Sequence, residues 1–168
     1  IGGIDTDGVL DNIEEVLQQV NDLNIVLLCI GGNDLLNGID DPQTAIDNIH
    51  LIIDVIQNAH PDVSIFIEKI APGNNEIMTS EFQLKLDEFN QLIAALASIQ
   101  TNANSNVTAV DMYTGFTENL LADDVHYNQD GALFIAERYF NSISSIFSSN
   151  ATLNILPLGD SRVEGARP

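Results

Sequence analysis

Three side chains in this 168-residue sequence have the types needed for nucleophilic catalysis, although the serine stands far along the chain from the other two. Ser161 follows Gly159 and Asp160, directly after an apolar run. Asp123 and His126 lie three positions apart on a polar stretch. In that arrangement the carboxylate can hold the Nδ1 proton of the imidazole, and Nε2 can then take a proton from a hydroxyl group. Each signal also has an ordinary explanation, because serine after Gly-Asp is common in turns and Asp-His pairs are common in solvated loops.

Two further residues carry polar groups that could contact a ligand. Asn33 follows two glycines just after an apolar, strand-like run, so its side-chain amide can lie at the edge of a sheet. Gly3 precedes the first helical pattern, and a backbone N–H without a side chain beside it can approach a ligand closely. Both positions are also compatible with simple turns, because glycine and asparagine favour turns on backbone grounds alone. The case for chemistry therefore depends on all of these residues occurring together.

The rest of the chain alternates between helical and strand patterns. Apolar residues recur at helical spacing in four stretches, and four continuous apolar runs indicate strands covered by helices. The helices are expected near 8–20, 41–60, 80–99 and 130–146, and the strands near 24–30, 63–70, 107–110 and 153–158. This alternation predicts a three-layer α/β domain with a parallel sheet. Right-handed crossovers bring the loops after the strands to one edge, where Gly31-Gly32-Asn33, Ala71-Pro72-Gly73 and Asp160-Ser161 should converge.

The composition excludes several classes of partner and site. Asp and Glu number 25 against five Lys and Arg, which gives a formal net charge of −20. Such a surface repels phosphate backbones and anionic lipids, so we expect neither nucleic acid nor membrane binding. No run reaches the roughly 18 apolar residues that a membrane span needs. Cys29 is the only cysteine, which excludes a disulfide framework and a cysteine-based metal site. Neither a metal nor a cofactor is expected.

Taken together, four short blocks resemble the signature motifs of the SGNH (GDSL) hydrolases. They are Gly159-Asp160-Ser161 after a strand, Gly3 before a helix, Gly31-Gly32-Asn33-Asp34 after the next strand, and Asp123-x-x-His126 before the last helix. The segments 2–6, 25–36 and 156–165 are more narrowly similar to carbohydrate esterase family three, whose members are acetylxylan esterases. The resemblance implies a single domain over 1–168 with the three-layer α/β/α, flavodoxin-like SGNH hydrolase fold and a mostly parallel sheet of about four to five strands.

The same resemblance implies a role for each residue. Ser161 corresponds to the nucleophile, His126 to the general base and Asp123 to the residue that orients the imidazole. The backbone N–H groups of Ser161 and Gly3, with the side-chain amide of Asn33, correspond to the oxyanion hole. We therefore expect a serine esterase of small acyl esters whose substrate is a small-molecule or polysaccharide ester. Such a function implies a secreted or periplasmic location, although no signal peptide is visible in the sequence.

Two other functions stay open at this level. A lipase-like or thioesterase-like hydrolase of longer acyl chains would use the same residues. A non-catalytic carbohydrate-binding module on a decayed esterase fold would explain why some elements of the family pattern do not occur. The presence of all four blocks favours catalysis over binding alone.

The order of the blocks departs from the family pattern. In the family the serine block comes first and is followed by a helix and an edge strand, whereas here 153–168 carries it after all other blocks. A circular permutation would insert the strand near 153–158 beside the strand near 24–30, through a linker at 148–152, and complete the site within one molecule. Alternatively, this segment begins a following repeat or exchanges into a neighbouring molecule, as in a strand-swapped homodimer. We prefer the permuted arrangement, because the segment supplies the one strand and the one residue that the rest lacks.

Overall fold

The computed structural model of the chain describes residues 3–38, 41–147 and 152–164. The helices are α1 (Thr6–Leu17), α2 (Gly32–Asn37), α3 (Pro42–Ala59), α4 (Ser80–Gln100), α5 (Gln129–Ser144) and α6 (Ser161–Glu164). The strands are β1 (Ile25–Cys29), β2 (Ser64–Lys69), β3 (Val107–Asp111) and β4 (Ile155–Gly159), and a 3₁₀ helix covers Glu118–Leu120. Most of the expected linker, at 148–151, lies outside the described residues, as do Gly2 and Gly165.

The four strands form one parallel sheet in the order β3-β2-β1-β4. In its interior, Leu27 of β1 pairs with Phe66 of β2 on one side and with Pro157 of β4 on the other. The proline is tolerated because β4 is an edge strand. The last strand in sequence thus lies beside the first strand of the same chain, the neighbour expected for it. The parallel sheet confirms the predicted α/β class, and the circular permutation stays a prediction.

Helices cover the sheet on both faces. α1, α3 and α4 pack on one face, where Val26 and Leu28 of β1 join Ile53 of α3 in a buried cluster. α5 packs on the opposite face, where Ile25 of β1 and Ile135 of α5 belong to a second cluster. Successive residues of β1 therefore point to alternate faces, and both faces are buried. This double burial is why the segment is apolar without interruption, and it confirms the expected three layers.

The segment after β1 differs from the sequence prediction. The sequence predicts a loop at Gly31-Gly32-Asn33, whereas α2 begins at Gly32. Gly31 precedes this helix with a φ of 102°, and a Cβ atom there would lie 2.4 Å from the Phe89 ring. Glycine is thus required both by the left-handed backbone and by the lack of space. The helix is only six residues long, too short to leave a helical period in the sequence.

Nearby residues in the sequence set where α1 and α3 begin. The Asp5 carboxylate accepts a hydrogen bond from the Gly8 N–H at 2.9 Å and caps α1. Asp41 caps α3 in the same way, accepting from the Thr44 N–H at 2.8 Å, and Pro42 occupies the first turn. Both helix starts follow from residues that are close in sequence, because such capping acts within one turn.

Cys29 is a free cysteine buried in β1, as expected for a small residue inside an apolar run. Of the helices within the described ranges, none combines the length and the apolarity needed to cross a bilayer.

Candidate active site

The end of β4 positions Ser161 at the carboxyl edge of the sheet. Gly159 pairs with Cys29 of β1, and the N–H of Asp160 donates to the Cys29 carbonyl oxygen at 3.2 Å. The chain then turns into α6, which begins at Ser161. The Asp160 carboxylate accepts a hydrogen bond from the backbone N–H of Arg162 at 2.9 Å and closes this turn. Burial raises the pKa of Asp160, although the hydrogen bond from Arg162 opposes the rise.

The segment 121–128, between the 3₁₀ helix and α5, carries both other residues of the predicted triad, and we call it the histidine loop. Its shape is set by the Asp123 carboxylate, which accepts hydrogen bonds from the backbone N–H groups of Val125 at 3.0 Å and His126 at 2.8 Å. Aspartate favours such turns because its side chain can accept from the backbone two or three residues further on. The same carboxylate that shapes the loop is thereby brought next to the imidazole.

Ser161, His126 and Asp123 meet within one chain. His126 Nε2 lies 2.8 Å from Ser161 Oγ, and His126 Nδ1 lies 2.8 Å from Asp123 Oδ2 and 3.0 Å from Oδ1. Partial burial raises the pKa of Asp123, but hydrogen bonds from the backbone of His126 and Val125 and from the imidazole outweigh it, so the pKa lies below its usual value. The carboxylate is therefore ionised at neutral pH and can hold a proton on Nδ1.

The loop after β2 is hydrogen-bonded to the histidine loop. Asn74, which follows β2, donates its side-chain N–H to Asp124 Oδ1 at 2.7 Å, and its backbone N–H donates to the Asp124 carbonyl oxygen at 2.9 Å. Neither Asp124 nor Asn74 has a role predicted from the sequence. The two residues are 50 positions apart, and no sequence pattern connects them.

Asn33 and Gly3 lie on adjoining elements. Asn33 is in the first turn of α2, and its side-chain N–H donates to the carbonyl oxygen of Ile4, the residue after Gly3, at 2.8 Å. The next residue, Asp34, is fully buried and accepts from the backbone N–H of Thr6 at 3.1 and 3.2 Å. Consecutive side chains of α2 thus hold the first residue of α1 and the segment before it. The sequence places Asp34 in the Gly31-Gly32-Asn33-Asp34 block but does not predict this contact.

A buried polar cluster lies behind the serine, on the α5 side of the sheet. Glu68 of β2, Tyr127 of the histidine loop, Tyr139 of α5 and Arg162 surround a cavity of about 440 Å³ together with apolar side chains. Within the described residues, one oxygen of Glu68 and both tyrosine hydroxyls have no hydrogen-bond partner. Burial raises the pKa of Glu68, although the Cys29 thiol and the positive charge of Arg162 oppose the rise.

The described residues contain no group of three or more histidine, cysteine or carboxylate side chains arranged as a metal site. The expectation that the chemistry needs neither a metal nor a cofactor stays a prediction. The arrangement itself offers a hydroxyl, an imidazole and a carboxylate in series, which is the chemistry of acyl transfer.

Comparison with protein families gives one match. The model of the GDSL-like lipase/acylhydrolase family matches residues 1–133. This range includes Gly3, Asn33, Asp123 and His126 and ends before Ser161, so the match does not depend on the Gly-Asp-Ser block. It confirms the resemblance to the GDSL hydrolases stated from the sequence. No curated protein sequence matches the chain.

Several solved structures are similar to this one. A carbohydrate esterase family 3 from Talaromyces cellulolyticus is 26% identical, with 86% of this chain and 68% of that chain covered and a TM-score of 0.74. A serine-to-alanine mutant of an acetyl esterase, with an acetate ion, has the same identity and coverage and a TM-score of 0.75. A family 3 carbohydrate esterase from Clostridium thermocellum is 24% identical over 83% of this chain and 64% of that chain, with a TM-score of 0.66, and indicates the fold alone.

Proposed function

Because the chain belongs to the GDSL-like lipase/acylhydrolase family, we propose that it is a serine esterase that hydrolyses small acyl esters. In this proposal Ser161 is the nucleophile, His126 is the general base and Asp123 orients the imidazole. The observation that carries it is the pair of contacts at His126, 2.8 Å from Nε2 to Ser161 Oγ and 2.8 Å from Nδ1 to Asp123 Oδ2. An imidazole between a hydroxyl and a carboxylate is the arrangement that activates serine for acyl transfer.

The reaction has two halves that use the same imidazole. First, Ser161 Oγ attacks the ester carbonyl carbon while Nε2 of His126 takes the hydroxyl proton. The imidazolium then returns this proton to the departing alcohol, the bond from the acyl carbon to the alcohol oxygen breaks, and an acyl-serine is left. Water, losing a proton to Nε2, attacks the acyl carbon, and the serine departs with that proton. General base catalysis of this kind contributes roughly a hundred- to ten-thousandfold.

The oxyanion hole of this proposal consists of the backbone N–H groups of Ser161 and Gly3 and the side-chain amide of Asn33. Gly3 has a φ of 82°, and among the described residues nothing lies within 4 Å of the place where a Cβ atom would stand, so there is free space beside its backbone. Asn33 uses one side-chain N–H for Ile4, and an amide has a second N–H to donate. Removing one such donor costs on the order of 3 kcal/mol of barrier.

For the substrate we propose an acetyl ester on a polysaccharide. The support is that the similar structures include a carbohydrate esterase and an acetyl esterase, each 26% identical to this chain. A polymeric substrate of this kind would place the protein in a secreted or periplasmic location, which we propose with it. The acidic surface, with its net charge of −20, favours a neutral ester over an anionic one.

The test compares the wild-type chain with Ser161→Ala on p-nitrophenyl esters from acetyl to decanoyl. We expect the acetyl ester to be hydrolysed fastest, and Ser161→Ala to lower kcat/KM by at least about a thousandfold. The matched control is Ser144→Ala, an exposed serine in the last turn of α5, which should leave kcat/KM unchanged. Acetate release from acetylated xylan tests the polymer.

Three other results would contradict parts of this proposal. Hydrolysis that Ser161→Ala does not reduce would refute the proposed nucleophile. A maximum at octanoyl or decanoyl would favour a lipase-like enzyme over an acetyl esterase. A chain that hydrolyses none of the esters and still binds xylan would be a carbohydrate-binding module.

A further inference from the structure

Arg162, the residue directly after Ser161, has a buried guanidinium group. Only 8% of the residue is exposed, and its Nη1 donates a hydrogen bond to the Ala71 carbonyl oxygen at 3.0 Å. The guanidinium carbon also lies over the ring of Tyr127, 5.7 Å from its centroid. A buried cation is costly unless it is compensated. Here a carbonyl dipole, the face of an aromatic ring and the nearby carboxyl groups of Asp160 and Glu68 compensate it.

Both partners of Arg162 belong to segments that hold the proposed base. Tyr127 directly follows His126 in the histidine loop. Ala71 lies in the loop after β2. This loop also holds the histidine loop, through the hydrogen bonds between Asn74 and Asp124. The residue after the nucleophile therefore contacts the residue after the base, and it also contacts the loop that supports that base.

We propose that Arg162 is a positioning residue that sets the distance between Ser161 Oγ and His126 Nε2. The turn at Ser161 follows β4 and the histidine loop comes after β3, and these are the two edge strands of the sheet. The guanidinium reaches the histidine loop by its cation–π contact with Tyr127, and it reaches the loop after β2 by its hydrogen bond to Ala71. This role rests on the proposed function, because it concerns the same hydroxyl and imidazole. Arg162 does not touch the reacting atoms, so its effect should appear in kcat and leave KM nearly unchanged.

Arg138 provides a matched control within the described residues. Its guanidinium also donates to a backbone carbonyl, that of Thr114 at 2.5 Å, and it lies 4.8 Å over the ring of Phe134. These contacts have the same chemistry as those of Arg162, but they join α5 to the turn after β3. A loss of activity that is specific to Arg162 therefore cannot arise from the general loss of a guanidinium packed on a ring.

The experiment measures kcat and KM on p-nitrophenyl acetate for Arg162→Met, Arg162→Lys and Arg138→Met, with folding checked by circular dichroism. A displacement of about 1 Å at reacting atoms can cost roughly a hundredfold in rate. We expect Arg162→Met to lower kcat about 10- to 100-fold, with KM within about threefold of wild type. Lysine keeps a charge over the ring and loses the planar fork, so Arg162→Lys should recover part of kcat. Arg138→Met should keep kcat within about twofold.

Substitutions of Tyr127, which contacts the guanidinium, give a second test that leaves the buried charge in place. Tyr127→Leu removes the ring face and should lower kcat about tenfold, whereas Tyr127→Phe keeps the ring and should restore most of that loss. Combining Tyr127→Leu with Arg162→Met should cost no more than Arg162→Met alone, because the two residues act on one distance. The rate at which a fluorophosphonate labels Ser161 should fall in parallel with kcat/KM.

The outcomes separate this inference from the proposed function. A wild-type chain without esterase activity overturns both. An active wild type with kcat unchanged in folded Arg162→Met, or with equal losses in Arg162→Met and Arg138→Met, overturns the inference alone. If Arg162→Met does not fold, an unchanged kcat in Tyr127→Leu overturns it in the same way.

Discussion

Replacing Asp123 by asparagine tests the electrostatic part of the proposed site. The substitution keeps the size of the side chain and an oxygen that can accept from the backbone N–H groups of Val125 and His126. Those two donors contact Oδ1, so the amide oxygen will take that position. The NH₂ group then takes the place of Oδ2, 2.8 Å from His126 Nδ1, where an acceptor is required. The change therefore removes a charge and favours the imidazole tautomer whose Nε2 cannot accept a proton.

The size of the effect follows from exposure and distance. Two unit charges about 4 Å apart attract by about 1 kcal/mol in water and by about 4 kcal/mol at an effective dielectric constant near 20. The Asp123 side chain is 57% exposed and that of His126 is 29% exposed, so the lower part of that range applies, about 1–2.5 kcal/mol. The lost hydrogen bond adds about 0.5–1.5 kcal/mol. The sum, about 1.5–4 kcal/mol, corresponds to a decrease in kcat of roughly 10- to 1,000-fold.

The assay is hydrolysis of p-nitrophenyl acetate at neutral pH, with Asp124→Asn as the control. Asp124 carries the same carboxylate one residue away and accepts from Asn74 instead of the imidazole, so kcat should change less than about threefold. A loss below about threefold in Asp123→Asn would show that the carboxylate does not orient His126. A loss near ten-thousandfold, as for a fully buried aspartate, would refute the assignment of a screened, exposed pair.

Two further predictions concern stability. Gly31→Ala forces a side chain onto a backbone with a φ of 102° and against the Phe89 ring, so urea unfolding should show a loss of about 2–5 kcal/mol in the free energy of unfolding. The control is Gly38→Ala, where φ is 61° and no described residue lies within 4 Å of the Cβ position; it should lose only about 1 kcal/mol. Burial raises the pKa of Glu68, so the native state holds this proton to a higher pH than the unfolded chain and loses stability as pH rises above about 4.3. At pH 7 the urea midpoint of Glu68→Gln should therefore be higher than that of the wild type. If the difference between the two midpoints is the same at pH 4 as at pH 7, this prediction is wrong.

Signals that act within one or two turns predicted most of the fold. The start of α3 at Asp41-Pro42 depends on a cap and a fixed proline dihedral, both of which are local. The continuous apolar run of β1 reflects burial on both faces of a parallel sheet. α2 could not be predicted in this way, because its start depends on how closely Gly31 approaches Phe89 of a helix far along the chain.

In the candidate site, too, some features follow from the sequence and others follow only from tertiary packing. The sequence by itself determined which side chains follow the strands, Asn33 after β1 and Ser161 after β4, and it placed Asp123 and His126 in one loop. Only the tertiary structure decided that Nε2 of the histidine lies 2.8 Å from the serine hydroxyl, across 35 positions of sequence. It also decided that Arg162 is buried against Tyr127. Such distances depend on the register of β4 against β1 and on the packing of one loop against another, and no preference acting within a few residues encodes them.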